Sequence, residues 1–346
     1  MSALLSLPCF SCLQSRIKAK MSSSQQAKLA NGNQMPLVGL GTWLASNPNE
    51  LKDAVRVALD SGYKHIDTAT MYNNEEPIGE VLQEFYDAGK LKRQDIFLTT
   101  KLPFEAHDPV LAEKVIERSL KNLRTDYIDL YLIHTPVSFK PNAQGDGPEM
   151  DSEKRFIPID VPIIDTWRVI ERYYKKGVFK AIGVSNFNAQ QLQELYDKAE
   201  IKPMNLQVEF HVLWPQKDLL TLCKKLGVVM TSYATIGSPG RGASPIPNDV
   251  LVNGDCMNQA VVQELAKKYN KTPAQILLRH TIQQGVCVIP KSTNPDRLKQ
   301  NLNIFDFELT ADDQKKLDEI KDRARLFTFN FARHHKNYPF EKSSVA

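Results

Sequence analysis

The sequence predicts an α/β protein built as a closed (β/α)8 barrel, with an N-terminal β-hairpin and long loops at the C-terminal face of the strands. Three observations predict it. Eight short apolar runs alternate with amphipathic helical stretches. Several of those runs, such as Tyr127 to Ile133, are apolar on both faces, as a parallel strand covered on either side requires. Eight such units in about 260 residues suit a single barrel better than two domains. The alternative, a doubly wound open sheet, usually carries GxGxxG after its first strand; Gly39-Leu-Gly41-Thr-Trp-Leu lacks the third glycine.

Taken in order, residues 1–27 are Ser-rich, acid-free and weakly apolar, and read as a disordered basic tail or a weak targeting segment. They lack the apolar core and cleavage site of a secretory signal. A mitochondrial transit peptide should be Arg-rich, and only Arg16 is present. Met21 is a possible second start. Residues 28–346 form one barrel domain on this reading. Lys28-Leu-Ala-Asn31-Gly32 has the Asn-Gly signature of a tight hairpin. Leu37 to Gly41 is the first apolar run, followed at helical spacing by Leu51, Ala54, Val55, Ala58 and Leu59. Later runs end at Asp67, Lys101, His134, Ser185, Glu209, Ser232 and Pro290. Leu192, Leu195, Tyr196 and Ala199 mark one intervening helix, opened by an Asn188/Gln191 capping box; Val262, Leu265, Ala266 and Tyr269 mark another. Two connections are long: Thr135 to Pro162, expected as a lid or as disordered, and Ile236 to Asp255.

Composition excludes several classes. At 42% hydrophobic and 24% charged, the 346-residue chain has ample material for a large core. No apolar run approaches the roughly 18 residues of a membrane span. The net charge of +4 resides entirely in residues 1–49, since 40 basic residues balance 40 acidic ones from Glu50 onward. A neutral folded part argues against a nucleic-acid surface. Five scattered cysteines give no disulfide framework and point to a reducing compartment. Cys9 and Cys12 form a CxxC without the second pair a zinc ribbon needs. Cytoplasmic residence follows, with a mitochondrial alternative resting on the N-terminal segment.

In this fold, polar residues at strand C-termini mark the active face. Asp67 ends the second run, Tyr72 follows five residues later, Lys101 ends the third and His134 the fourth. An Asp67–Lys101 pair beside the Tyr72 phenol is the natural arrangement of such a polar cluster. A fixed ammonium should lower the phenol from its reference pKa of about 10 and make it a competent acid. Neutral His134 could then orient a carbonyl oxygen. A phenol and an imidazole N–H aimed at one oxygen suit carbonyl reduction, where negative charge develops on that atom. A strand-end Asp, Tyr, Lys or His is individually more often structural; four facing one opening are less easily coincidental. A rival arrangement places a metal between His65, Asp67 and His134, as in barrel hydrolases, but an ammonium would repel a dication.

Reduction needs a hydride donor. Ile289-Pro-Lys291-Ser292-Thr-Asn294-Pro295-Asp-Arg297 places an N-cap and a first-turn proline after the last run. The helix N-terminus, with Lys291, Ser292 and Arg297, would suit the 2′-phosphate of NADP rather than the free ribose of NAD.

Residues from about 30 to 330 resemble the aldo-keto reductases. The resemblance rests on Gly62-Tyr-Lys-His-Ile-Asp67-Thr-Ala-Thr-Met-Tyr72-Asn-Asn-Glu75 and on Ile289-Pro-Lys291-Ser292. It implies NADPH-dependent reduction of aldehydes and ketones by a monomeric barrel acting on small carbonyl compounds, without a metal. Tyr72 would donate the proton, assisted by Lys101 and Asp67, with His134 orienting substrate and Trp43 walling the pocket. Ser185, Asn186 and Gln207 would hold the nicotinamide carboxamide, Tyr233 would stack under the ring, and Lys291, Ser292, Arg297 and Asn301 would take the adenosine phosphate end. Departures occur at Thr135, where many members have Trp, and at Pro103-Phe104, where many have an aromatic two residues after the Lys. Phe327-Thr-Phe329-Asn-Phe331 resembles the family's third substrate loop, though simple packing on the barrel rim would explain it equally. Some relatives serve as non-catalytic regulatory subunits; the intact Asp67, Tyr72, Lys101 and His134 set favours an enzyme.

Overall fold

The computed structural model describes residues 25–244 and 252–340. Cys9, Cys12, Met21 and most of the expected tail lie outside the described residues. The hairpin starts slightly earlier than the sequence suggests: β1 (Gln26–Lys28) pairs antiparallel with β2 (Gln34–Pro36). Its connection is five residues, 29–33, rather than a two-residue Asn-Gly turn. Gly32 takes the left-handed backbone (φ 91°) that the loop requires. The Asn31 side chain serves elsewhere, donating to the Lys180 carbonyl at 2.7 Å.

Eight parallel strands follow: β3 (Leu40–Gly41), β4 (His65–Asp67), β5 (Phe97–Leu102), β6 (Leu130–Ile133), β7 (Ile182–Ser185), β8 (Asn205–Glu209), β9 (Val229–Tyr233) and β10 (Cys287–Val288). The sheet curls shut through parallel bridges of Val38 to Val288 and Gly41 to Lys291. At this seam a Cβ on Gly41 would stand 2.4 Å from the Ile289 carbonyl oxygen, so only glycine allows the approach.

Helices cover the outside: α1 (Pro48–Ser61), α2 (Glu75–Asp87), α3 (Pro109–Asn122), α4 (Ile163–Lys175), α5 (Ala189–Lys198), α6 (Lys217–Leu226), α8 (Pro273–Gln283) and α9 (Pro295–Leu302). The stripe Leu51, Ala54, Val55, Ala58 and Leu59 is the buried face of α1. The Asn188/Gln191 capping box opens α5 as its sequence predicts. Two further helices, α7 (Ala260–Tyr269) and α10 (Ala311–Asp318), share an apolar cluster of Val262, Leu265, Leu309 and Leu317 outside the barrel wall.

The period of two along each strand sorts residues between two cores. On β6, Tyr131 and Ile133 join the outer layer with Ile182, Val184, Leu206 and Val208, while Leu130 and Leu132 face inward. The inward set meets Leu29 and Met35 of the hairpin, which plug the N-terminal end of the barrel. Polar pairs occupy the same interior: His65 with Thr99 at 2.9 Å, and Asn205 with Thr231 at 2.8 Å. Two residues further along those rows, the interior opens at the C-terminal face.

The 135–162 connection is neither helical nor strand-like in sequence, yet it folds back on itself. Phe139 bridges Pro158, Pro141 bridges Pro148 and Met150 bridges Phe156. Its Phe139 and Phe156 pack with Phe104 and Phe331 in an aromatic cluster over the barrel mouth.

Candidate active site

Extending the inward rows by one rung gives the site. His65 leads to Asp67 on β4, Thr99 to Lys101 on β5, and Leu132 to His134 just past β6. On β8, Asn205 leads to Gln207. Tyr72 reaches the same place by a different route. After β4 the chain makes a 3-10 turn over Thr70–Tyr72, and Asn73 adopts φ 53°. Asn74 fixes this turn by accepting from Thr68 Oγ1 at 2.6 Å and donating to the Thr42 carbonyl at 2.9 Å. Glu75 bolts the next helix down, accepting from Thr100 at 2.6 Å and Ser119 at 3.1 Å. Thr70 Oγ1 also donates to the Lys101 carbonyl at 3.2 Å, so the turn is folded back over β5.

Lys101 is fully buried, and each of its three N–H bonds has an acceptor. Nζ donates to Asp67 Oδ1 at 2.6 Å, to the Thr68 carbonyl at 2.8 Å and to Tyr72 Oη at 3.4 Å. The second Asp67 oxygen accepts from Gln207 Nε2 at 2.8 Å. His134 stands edge-on to Tyr72 with 5.6 Å between ring centroids, its Nδ1 without a hydrogen-bond partner among the described residues. Its carbonyl accepts from Asn186 Nδ2 at 2.8 Å. Asp67, Lys101 and His134 from the strand ends and Tyr72 from its turn therefore converge.

The electrostatics correct one sequence-based expectation. The Tyr72 phenol lies well above its ordinary pKa, not below it, because burial first and the Asp67 carboxylate second oppose phenolate. Burial also draws the Lys101 ammonium down, with Asp67 pulling the other way. His134 is held well below the usual imidazole value by burial and then by Lys101, so it is neutral near pH 7. In the resting site the phenol keeps its proton firmly.

The rival metal arrangement does not assemble. His65 sits one rung below Asp67, bonded to Thr99 and packed at 5.1 Å against Phe97, while Asp67 is taken up by Lys101 and Gln207. No group of three metal-ligating side chains occurs among the described residues.

A polar track leaves the site along the rim. Ser185 Oγ donates to the Gln207 carbonyl at 2.8 Å, Asn186 Nδ2 reaches Ser185 Oγ at 3.1 Å, and Tyr233 Oη donates to Asn186 Oδ1 at 2.7 Å. Asn186 has φ 63°, which turns its side chain back toward β6. Further round, Lys291 and Arg297 are exposed while Ser292 and Asn301 are buried. One detail departs from the expected anion site. Asn294 Oδ1 already accepts from the Asp296 and Arg297 amides at 3.1 and 3.0 Å, so side chains rather than those N–H groups would meet a phosphate. Two exposed cations beside a buried serine and asparagine still fit a dianionic group.

Trp43 and the C-terminal segment wall the opening. Phe327 stands edge-on to Trp43 at 5.3 Å and to Tyr233 at 5.4 Å, while Phe331 lies tilted against Phe104 and Phe329 tilted against Phe331. Phe327 thus borders the mouth, and its two neighbours pack on the rim. Sequence reading missed the Gln207–Asp67 bond and gave Glu209, beyond it on β8, no part beyond closing an apolar run. The available signals were the strand-end place of Glu209 and its spacing of two from Gln207 on one strand.

The chain is thus a (β/α)8 barrel with these four side chains gathered at the C-terminal face of its strands. The model of the aldo/keto reductase family matches residues 37–322, and the chain belongs to that family. It is 40% identical to aldo-keto reductase family 1 member C15 of Rattus norvegicus, over 92% of this chain and 97% of that one. Identity to aldo-keto reductase family 1 member A1-A of Danio rerio is 42%, over 86% and 90% of the two chains. The solved aldose reductase of Schistosoma japonicum superposes with a TM-score of 0.84 at 37% identity, covering 92% of this chain and 99% of that one.

Proposed function

We propose that this protein reduces aldehydes and ketones to alcohols with NADPH, and that Tyr72 is the proton donor. The observation that carries the reading is the three-way hold of Lys101 Nζ on Asp67, the Thr68 carbonyl and Tyr72 Oη beside a neutral His134. The nicotinamide supplies a hydride to the carbonyl carbon when bound. A carbonyl oxygen placed between Tyr72 Oη and the His134 ring gains negative charge as its carbon is reduced, and two neutral donors stabilise that charge. Tyr72 then passes its proton to the oxygen. The ammonium of Lys101 offsets the phenolate left behind, so the pair acts on the transition state although the resting phenol is a weak acid. Asp67 and Gln207 keep Lys101 in place.

Ser185, Asn186 and Gln207 would hold the carboxamide, with the Gln207 side-chain oxygen Oε1 facing it because Nε2 is engaged by Asp67. Tyr233 would lie beneath the ring, steadied by its bond to Asn186. Lys291, Ser292, Arg297 and Asn301 would receive the adenosine phosphate. Trp43 and Phe327 would bound the substrate.

Consumption of NADPH with an aromatic aldehyde tests the activity directly, and none at all would leave only a cofactor-binding module. Tyr72→Phe should keep NADPH affinity within about twofold and lose reduction by about a hundredfold or more. Parental rates in that variant would remove Tyr72 from its role.

A further inference from the structure

We infer that Glu209 is a positioning residue that governs substrate selectivity, by fastening the C-terminal segment whose Phe327 borders the pocket. The inference rests on the carbonyl-reductase reading above.

Glu209 ends the inward row of β8, one rung beyond Gln207, and is 1% exposed. Its carboxylate receives three donors. Oε1 accepts from the Leu326 amide at 2.5 Å, Oε2 from the Phe327 amide at 3.0 Å, and His211 Nε2 approaches Oε1 at 2.8 Å. Two consecutive backbone amides of a distant segment are thus gripped by the two oxygens of one side chain. Residues 324–329 belong to no helix or strand, so no ladder satisfies those amides. A second bond, from the Ala324 amide to the Leu213 carbonyl at 3.1 Å, ties the same segment to the loop after β8.

The next side chain out is Phe327, held edge-on against Trp43 and Tyr233. Its position in the mouth is set by where its own amide is held. Only a carboxylate can accept at both ends of this grip. A glutamine would direct an amide N–H₂ at a backbone N–H and release one of the two residues. Strand β8 therefore serves two tasks from one face: Gln207 steadies the Asp67–Lys101 pair, and Glu209 steadies the wall opposite it.

A merely structural role would lower activity toward every substrate in proportion. A selectivity role changes the ratio between them. The test compares Glu209→Gln with the parental full-length enzyme, measuring kcat/KM for a bulky aromatic aldehyde and for a three-carbon aldehyde with NADPH. The bulky-to-small ratio should fall about tenfold, as expected when one well-packed aromatic wall is lost. In a Phe327→Ala background the same substitution should move the ratio no further, because both act through one ring. Equal proportional losses for the two aldehydes, or full additivity with Phe327→Ala, would overturn the inference.

Hydrogen exchange on the parental protein gives an independent reading if the variant does not fold. The Leu326 and Phe327 amides should exchange far more slowly than an open loop allows, and exchange at open-loop rates would overturn the inference as well. That measurement needs no turnover, so failure of the anchor and failure of the proposed activity are told apart.

Discussion

At the scale of single residues, charge placement decides the chemistry. Among the described residues Lys101 carries the only cation bonded to the Tyr72 phenol, and its removal would strand the Asp67 carboxylate in a buried setting. Lys101→Met should therefore lower kcat by about a hundredfold and also lower the melting temperature, read by steady-state kinetics and calorimetry. His134 yields a pH prediction with a definite sign. Its pKa is depressed by burial and Lys101, so it stays neutral as pH falls through the ordinary value of about 6.5. A plot of log kcat/KM against pH should show no inflection there, and a drop centred at that value would contradict a neutral His134. Asp67, Lys101 and His134 were legible in sequence because each closes an apolar run. The sign of the Tyr72 shift was not, because desolvation depends on packing that no motif reports. Nor was the Gln207–Asp67 bond, whose partners stand 140 residues apart.

At the scale of elements, the amphipathic stripes and caps translated directly into helices, and all eight strands lie where apolar runs predicted them. The hairpin did not follow its dipeptide: Asn31 is drawn away to Lys180, and the loop lengthens to five residues. Tertiary bonding overrode a local turn preference. The seam between β3 and β10 is likewise invisible in sequence, since β10 spans only Cys287–Val288 and closure depends on isolated bridges. Gly41→Ala should strain this seam and destabilise the protein by about 1–3 kcal/mol, measurable by urea unfolding. Thr272 opens α8 with a capping box to Gln275, and Thr272→Ala should cost about 1 kcal/mol in the same assay.

At the scale of the whole molecule, buried imidazoles tie stability to pH. Burial lowers His65 to about 4 and His107 to about 3, whereas both take up a proton near pH 6.5 when unfolded. Between those values the unfolded chain binds more protons, so each group favours unfolding increasingly as pH falls below about 6.5. Glu75 and Glu105, raised by burial, have the opposite slope, so a difference between proteins isolates the histidine. The stability gap between His107→Gln and the parent should shift in favour of the variant from pH 7 to pH 4. An unchanged gap would show that His107 protonates equally in both states.

The segment fastened by Glu209 continues into further stitches: the Ser138 amide on His335, Asn188 on the Pro339 carbonyl and Gln191 on the Asn337 carbonyl. These residues follow every strand of the barrel in the chain, so they leave the ribosome after it. Asp67, Tyr72, Lys101 and His134 are thus all synthesised before the segment that borders the mouth, so on the reading proposed above the reacting groups emerge ahead of the wall that would select among substrates.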